Sequence, residues 1–88
     1  MPDITSLTNN NFKVLNHFYE NKDKENLVKT TQEEIGQALK MNRCTINYIV
    51  KWLKTEGYIV HDASKVGRYY LTEKGLKTVE LLKEVDKL

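Results

Sequence analysis

Residues 31–59 read TQEEIGQALKMNRCTINYIVKWLKTEGYI, and two short helices joined by a tight turn account for them. Thr31-Gln-Glu-Glu34 has the form of a capping box, in which the Thr31 hydroxyl accepts the Glu34 amide and the Glu34 carboxylate returns to the amide of Thr31. A helix therefore starts there, with Ile35, Ala38 and Leu39 as its expected inward face. Gly36 lies inside it at a cost of about 1 kcal/mol relative to alanine, which points to close approach of another helix. Lys40-Met41 makes the turn. Asn42 then caps a second helix in which Ile46, Ile49, Val50 and Leu53 fall on one face at 100° per residue, and Gly57 stops it.

Downstream the period changes. Tyr58-Ile59-Val60 and Arg68-Tyr69-Tyr70-Leu71 are rich in β-branched and aromatic residues and flank the polar stretch DASKVG, the pattern of a β-hairpin. Thr72 caps a last helix. Leu76, Val79, Leu82 and Val85 share a stripe on it, which Leu81, Val85 and Leu88 widen. Upstream, Phe12, Leu15, Phe18 and Tyr19 recur at spacings of three and four behind Asn9 to Asn11 as cap candidates, giving an amphipathic helix of about three turns. NKDKEN at 21–26 ends it, and Leu27-Val28 offers at most a very short strand. The expected fold is mainly α with a small β-hairpin (α+β), in the order helix, short strand, helix, helix, strand, strand, helix.

Composition narrows the function classes. Eighty-eight residues suit one domain, against a usual size of about 100–150, and exclude a cleft between two lobes. With 40% hydrophobic and 30% charged residues the chain is too apolar for wholesale disorder and too polar for a membrane protein. The longest apolar runs are two or three residues and no leader pattern stands at the start, so a cytoplasmic location is expected. The single Cys44 excludes an internal disulfide. One cysteine with His17 and His61 makes a poor metal set, so neither a metal nor a cofactor is expected. There is no Ser/His/Asp-like set, phosphate-binding glycine loop or close carboxylate pair, and no enzymatic activity is expected.

Two helices across a short turn, the second ending in glycine before a hairpin, is the layout of a winged helix-turn-helix. Residues 31–59 resemble bacterial winged-helix regulators of the MarR and PadR kind, whose pattern is a capped helix carrying E-E-L-A, a turn, then S-R-x-T-V and a closing G-L-I. Gly36 stands at the usual alanine and Asn42 at the usual serine cap, while Arg43, Thr45, Ile46, Gly57, Tyr58 and Ile59 fall in register. Leu71-Thr-Glu-Lys-Gly75 is similar to the L-T-x-x-G that follows the wing in the same families. The resemblance covers about residues 31–80 and implies a minimal single-domain form over 1–88: helix-turn-helix 31–57, wing hairpin 58–71 and C-terminal helix 72–88.

The implied function is sequence-specific binding of double-stranded DNA by a transcriptional regulator, with the recognition helix 42–56 in the major groove and the wing 61–68 on backbone or minor groove. The face opposite the apolar one carries Cys44, Asn47, Tyr48 and Lys51, with Arg43 at its edge. Arginine can bond a guanine edge through two donors, asparagine can do the same for adenine, and lysine neutralises a phosphate or reaches guanine. Tyr48, where related families often carry a second arginine, suits a thymine methyl or a phosphate oxygen. Asn42 belongs to the same end, Thr31 and Gln32 are placed to donate to a phosphate, and Lys65 and Arg68 are expected at the wing tip. Solvated helix and hairpin surfaces remain the plain alternative for these residues.

Charge follows the same division. The total is only +2, but residues 40–70 carry Lys40, Arg43, Lys51, Lys54, Lys65 and Arg68 against Glu56 and Asp62, a net +4. Residues 1–39 sum to −2 and residues 71–88 to zero. His61 on the hairpin stem would add charge below neutral pH. Trp52 flanks its helix and suits either partial core burial or a subunit contact. Leu81, Leu82, Val85 and Leu88 exceed what one seam needs, so a homodimer contact is expected there, although packing back on the first helix would also use them. The second function class is a winged-helix module for protein–protein interaction in a larger nucleic-acid-processing assembly, suggested by the modest charge and by Tyr48 with Trp52. No membrane partner is expected.

Overall fold

The apolar periodicities become seven elements in a computed structural model, which describes residues 9–65 and 67–86. They are α1 (Asn9–Asn21), β1 (Leu27–Lys29), α2 (Gln32–Leu39), α3 (Arg43–Thr55), β2 (Ile59–His61), β3 (Arg68–Leu71) and α4 (Glu73–Asp86). This is the expected order of a winged helix-turn-helix.

The caps behave largely as their residue types require. The Thr31 hydroxyl accepts the Glu34 amide at 3.1 Å, and Asn42 Oδ1 accepts the Thr45 amide at 2.8 Å. Among the described residues the return bond from the Glu34 carboxylate does not form, and that side chain is exposed. Asn9 to Asn11, expected ahead of the first helix, are already helical. Lys40 ends α2 in the left-handed region (φ 57°), a conformation usually left to glycine or asparagine, and Gly57 ends the helix-turn-helix at φ 82°.

The core is assembled from the predicted faces with two differences. Ile46, Ile49, Val50 and Leu53 of α3 are all buried, with Leu15 and Phe18 of α1, Ile35 of α2 and Val79 of α4. Val14 joins them although it lies off the Phe12–Leu15–Phe18–Tyr19 stripe, because α1 packs against all three other helices and β1 and so buries a wider arc. On α2 the inward face is Ile35 and Gly36, with Leu39 half-buried, while Ala38 is exposed. A β-carbon on Gly36 would lie 2.8 Å from the Met41 carbonyl oxygen and 3.7 Å from Ile46 Cγ1. The closest approach is thus the inter-helix turn rather than another helix. Trp52 is half-buried and stacks on Tyr58 with centroids 5.6 Å apart.

The hairpin β2–β3 is joined by β1 in a three-stranded antiparallel sheet ordered β1-β3-β2. Its register sets Val28 and His61 on either side of Tyr69, and Leu27 and Val60 on either side of Tyr70. Val28, Tyr69, Ile59 and Leu71 face the helices, where Tyr69 meets Phe18 at 5.2 Å between centroids. Leu27, Lys29, Val60, Arg68 and Tyr70 alternate with them and take the solvent face.

Candidate nucleic-acid interface

Burial of four apolar residues on α3 dictates what its other side offers. Arg43, Cys44, Asn47, Tyr48 and Lys51 are all exposed, Tyr48 to 70%. Their presentation rests on Asn42, whose Oδ1 is committed to the cap and whose NH2 group keeps two donors. The Thr31 hydroxyl is similar, since it accepts a backbone amide and retains its own proton for donation.

Gln32 and Arg43 join the two helices of the motif to the wing. Both line each of three adjoining surface hollows. The first, of about 530 Å³, runs between α2 and the turn past Gln37, Lys40 and Met41. The second, of about 470 Å³, opens toward the sheet past Thr31, His61, Gly67 and Tyr69. The third, of about 310 Å³, continues onto α3 past Cys44 and Asn47. A single concave strip therefore connects the exposed face of α3, the start of α2 and the base of the wing.

The wing is tied to that strip. The Thr30 amide donates to the Gly67 carbonyl at 2.8 Å, so the chain entering α2 and the chain entering β3 are bonded to each other. At the tip, Asp62 accepts the Ser64 hydroxyl at 2.6 Å and the Ser64 amide at 3.0 Å. These bonds, the hydroxyl first, hold the Asp62 carboxyl below its ordinary range, with Lys65 and Arg68 adding attraction. Lys65 is exposed in this turn. Arg68, expected at the tip, instead opens β3 and is half-buried, because the strand begins one residue after Gly67.

Lys29 was missed by sequence reasoning. It lies directly across from Arg68 on β1, and no short-range pattern reveals that pairing. Gln37 and Lys40 were also left out of the candidate site, although the spacing Gln32–Gly36–Gln37 along one side of α2 could have suggested them.

Two structural roles explain the motif at 71–75. The Thr72 hydroxyl donates to the Gly57 carbonyl at 2.6 Å and accepts the Gly75 amide at 3.1 Å. Gly75 packs against the Tyr58 carbonyl so closely that a β-carbon would come well inside 3.0 Å. The motif thus locks the start of α4 onto the end of the helix-turn-helix and does not itself face the strip. On α4, Leu81 is 39% exposed and Leu82 half-buried, while Lys83 pairs with Glu20 of α1. Leu88 lies outside the described residues, as does Val66 at the wing. Among the described residues, no three His, Cys, Asp or Glu side chains gather as metal ligands, and no helix is long and apolar enough to cross a membrane.

No protein-family model matches the chain, and no curated protein matches its sequence. Solved structures do. The transcriptional regulator SlyA is similar with a TM-score of 0.74 and 30% identity, over 94% of this chain and 57% of that one. The S. aureus MepR–DNA complex is similar with a TM-score of 0.73 and 24% identity, over 93% of this chain and 66% of that one. A Listeria innocua protein of unknown function follows with 0.70 and 26%, over 90% and 52%. This chain spans between about half and two thirds of the length of each. The likeness to SlyA and MepR agrees with the resemblance read from residues 31–59 and 71–75: the fold is the winged helix-turn-helix of MarR-like regulators.

Proposed function

We propose that the chain binds double-stranded DNA sequence-specifically and acts as a transcriptional regulator, with α3 in the major groove and the wing turn on the backbone or in the minor groove. The observation that carries this reading is the continuous strip shared by Gln32 and Arg43, which puts base-reading and phosphate-binding groups on one surface. Arg43 and Asn47 supply bidentate donors for base edges, and Lys51, Lys65, Thr31 and Gln32 supply phosphate contacts. Cys44 and Tyr48 add small apolar and aromatic contact. The MepR structure is a complex with DNA, which supports DNA binding by a protein of this fold.

A homodimer through Leu81, Leu82, Val85 and Leu88 belongs to the reading, because two recognition helices then meet successive major grooves. Support comes from α4, where Lys83 turns toward α1 while Leu81 stays exposed and Leu82 lies outside the core cluster.

Selection from a random duplex pool tests the proposal and reports half-site spacing. Arg43→Ala relaxes base preference at one position, whereas Lys65→Ala weakens binding to all sequences and lowers the salt slope by about one. Recovery of no preferred sequence over bulk DNA refutes it. One observation favours a protein-interaction module instead: Tyr48 stands beside a hollow of about 200 Å³ formed with Lys51, Trp52 and Thr55. Absence of any duplex binding at low salt would leave that reading in place.

A further inference from the structure

We propose that Lys29 and Arg68, side by side across β1 and β3, grip a backbone phosphate of the bound duplex outside the major-groove contact, so that the solvent face of the sheet is part of the DNA footprint. The inference rests on the recognition-helix reading and extends it to a residue that lies before the helix-turn-helix.

Register carries it. Lys29 and Arg68 are direct partners in an antiparallel ladder, and their inward neighbours Val28 and Tyr69 are buried, so both cations take the outer face. Side chains so placed have β-carbons about 4.5–5.5 Å apart, and like charges directly opposite destabilise a strand pair. Among the described residues neither cation has an ion-pair partner within 4 Å. Asp23 and Asp62 are the acidic groups that feel them. Each keeps its Oδ1 for its own turn: Asp23 accepts the amides of Glu25 and Leu27, and Asp62 accepts both groups of Ser64. Both carboxylates attract the cations from a distance without pairing with them, and one phosphate, with two non-bridging oxygens, would bond the two cations at once.

Position makes that phosphate one of the same duplex. Lys29 is followed by Thr30, bonded to Gly67, and then by Thr31 and Gln32 at the start of α2. Gly67, Thr31, Gln32 and Arg43 border one hollow with the inward-register His61 and Tyr69, and Lys29 and Arg68 are the adjoining ladder pair on the other face of the sheet. A backbone leaving the groove past the α2 start would next pass this end of the sheet.

The test uses the full chain and its selected duplex, with affinity measured against salt for the unaltered protein, Lys29→Thr, Arg68→Thr and the remote, ion-paired Lys77→Gln. Lys29→Thr and Arg68→Thr each lower the salt slope by about one and weaken binding about 3- to 10-fold at 0.15 M salt, with the ranking of sequences unchanged. Lys77→Gln leaves the slope unaltered. A slope in Lys29→Thr equal to that of the unaltered protein overturns the proposal while recognition by α3 stands. An equal fall in Lys77→Gln overturns it too, by reducing the effect to net charge. If the unaltered chain binds no duplex at 50 mM salt, both readings fall together.

Discussion

Gly75→Ala sets helix propensity against packing, and the structure decides the sign. Alanine in place of glycine inside a helix is worth up to about 1 kcal/mol in favour of the variant, less in a first turn. Against this, the new β-carbon would enter the Tyr58 carbonyl oxygen and lie 3.2 Å from Leu71 Cδ2. The oxygen cannot retreat freely, since it accepts the Thr72 amide at 3.1 Å and lies 3.0 Å from the Thr72 hydroxyl, whose proton goes to Gly57. Overpacking of a tight site costs about 1–3 kcal/mol, and weakening the Thr72 amide bond adds about 1 kcal/mol. The net loss is about 1–3 kcal/mol, and at about 4–8 °C per kcal/mol the melting temperature falls by about 4–24 °C. Urea unfolding followed by circular dichroism measures it. Gly36→Ala provides the contrast, because a β-carbon there would lie 2.8 Å from the Met41 carbonyl oxygen, a milder overlap than at Gly75, so its loss is the smaller of the two. A Gly75→Ala protein as stable as the parent, or a larger loss at Gly36, would refute the reasoning.

The other predictions concern caps and protonation. Asn42→Ala removes the acceptor for the Thr45 amide, so unfolding free energy drops by about 1 kcal/mol, and DNA affinity falls further than stability alone explains as the first turn of α3 frays. Burial holds the His17 imidazole below its ordinary value of 6.5, so the folded protein binds protons less readily than the unfolded chain there. That contribution to stability is full above pH 6.5 and is lost as pH falls through the lowered value; His17→Gln flattens the stability profile in this window, which pH-stepped urea titrations check. Asp62 is depressed by its bonds to Ser64, so its contribution is present above the ordinary carboxylate range and disappears in more acidic solution. Asp62→Asn removes that acid dependence.

What was legible in the sequence was local. Ile46, Ile49, Val50 and Leu53 are set by a 3.6-residue period and Thr31, Asn42, Thr72 and Gly57 by cap chemistry, all of which act within one or two turns. The errors share a different cause. Ala38 faces solvent and Val14 is buried because burial depends on which neighbours surround a helix, and α2 touches fewer of them than α1. Lys29 was overlooked because β1 pairs with β3 across about forty residues of chain. Three residues of strand carry too little alternation to announce such a partner.

Pairing also changes what the small total charge means. On the α1–α4 side, Lys83 is bound to Glu20 and Lys77 to Glu73. On α3, the wing turn and the outer sheet face, among the described residues, Arg43, Lys51, Lys65, Arg68 and Lys29 have no ion-pair partner, while Asp23 and Asp62 are held in turns by amides and a hydroxyl and Glu33 lies beside Arg43 in the strip. A net +2 is therefore compatible with a binding face whose cations are free to meet phosphates. Under the proposed function, salt dependence should follow the number of unpaired cations on this face, since counterion release counts phosphates neutralised and not the charge of the whole protein. Removing an ion-paired lysine and removing an unpaired one change the net charge by the same unit, yet only the second should alter the slope.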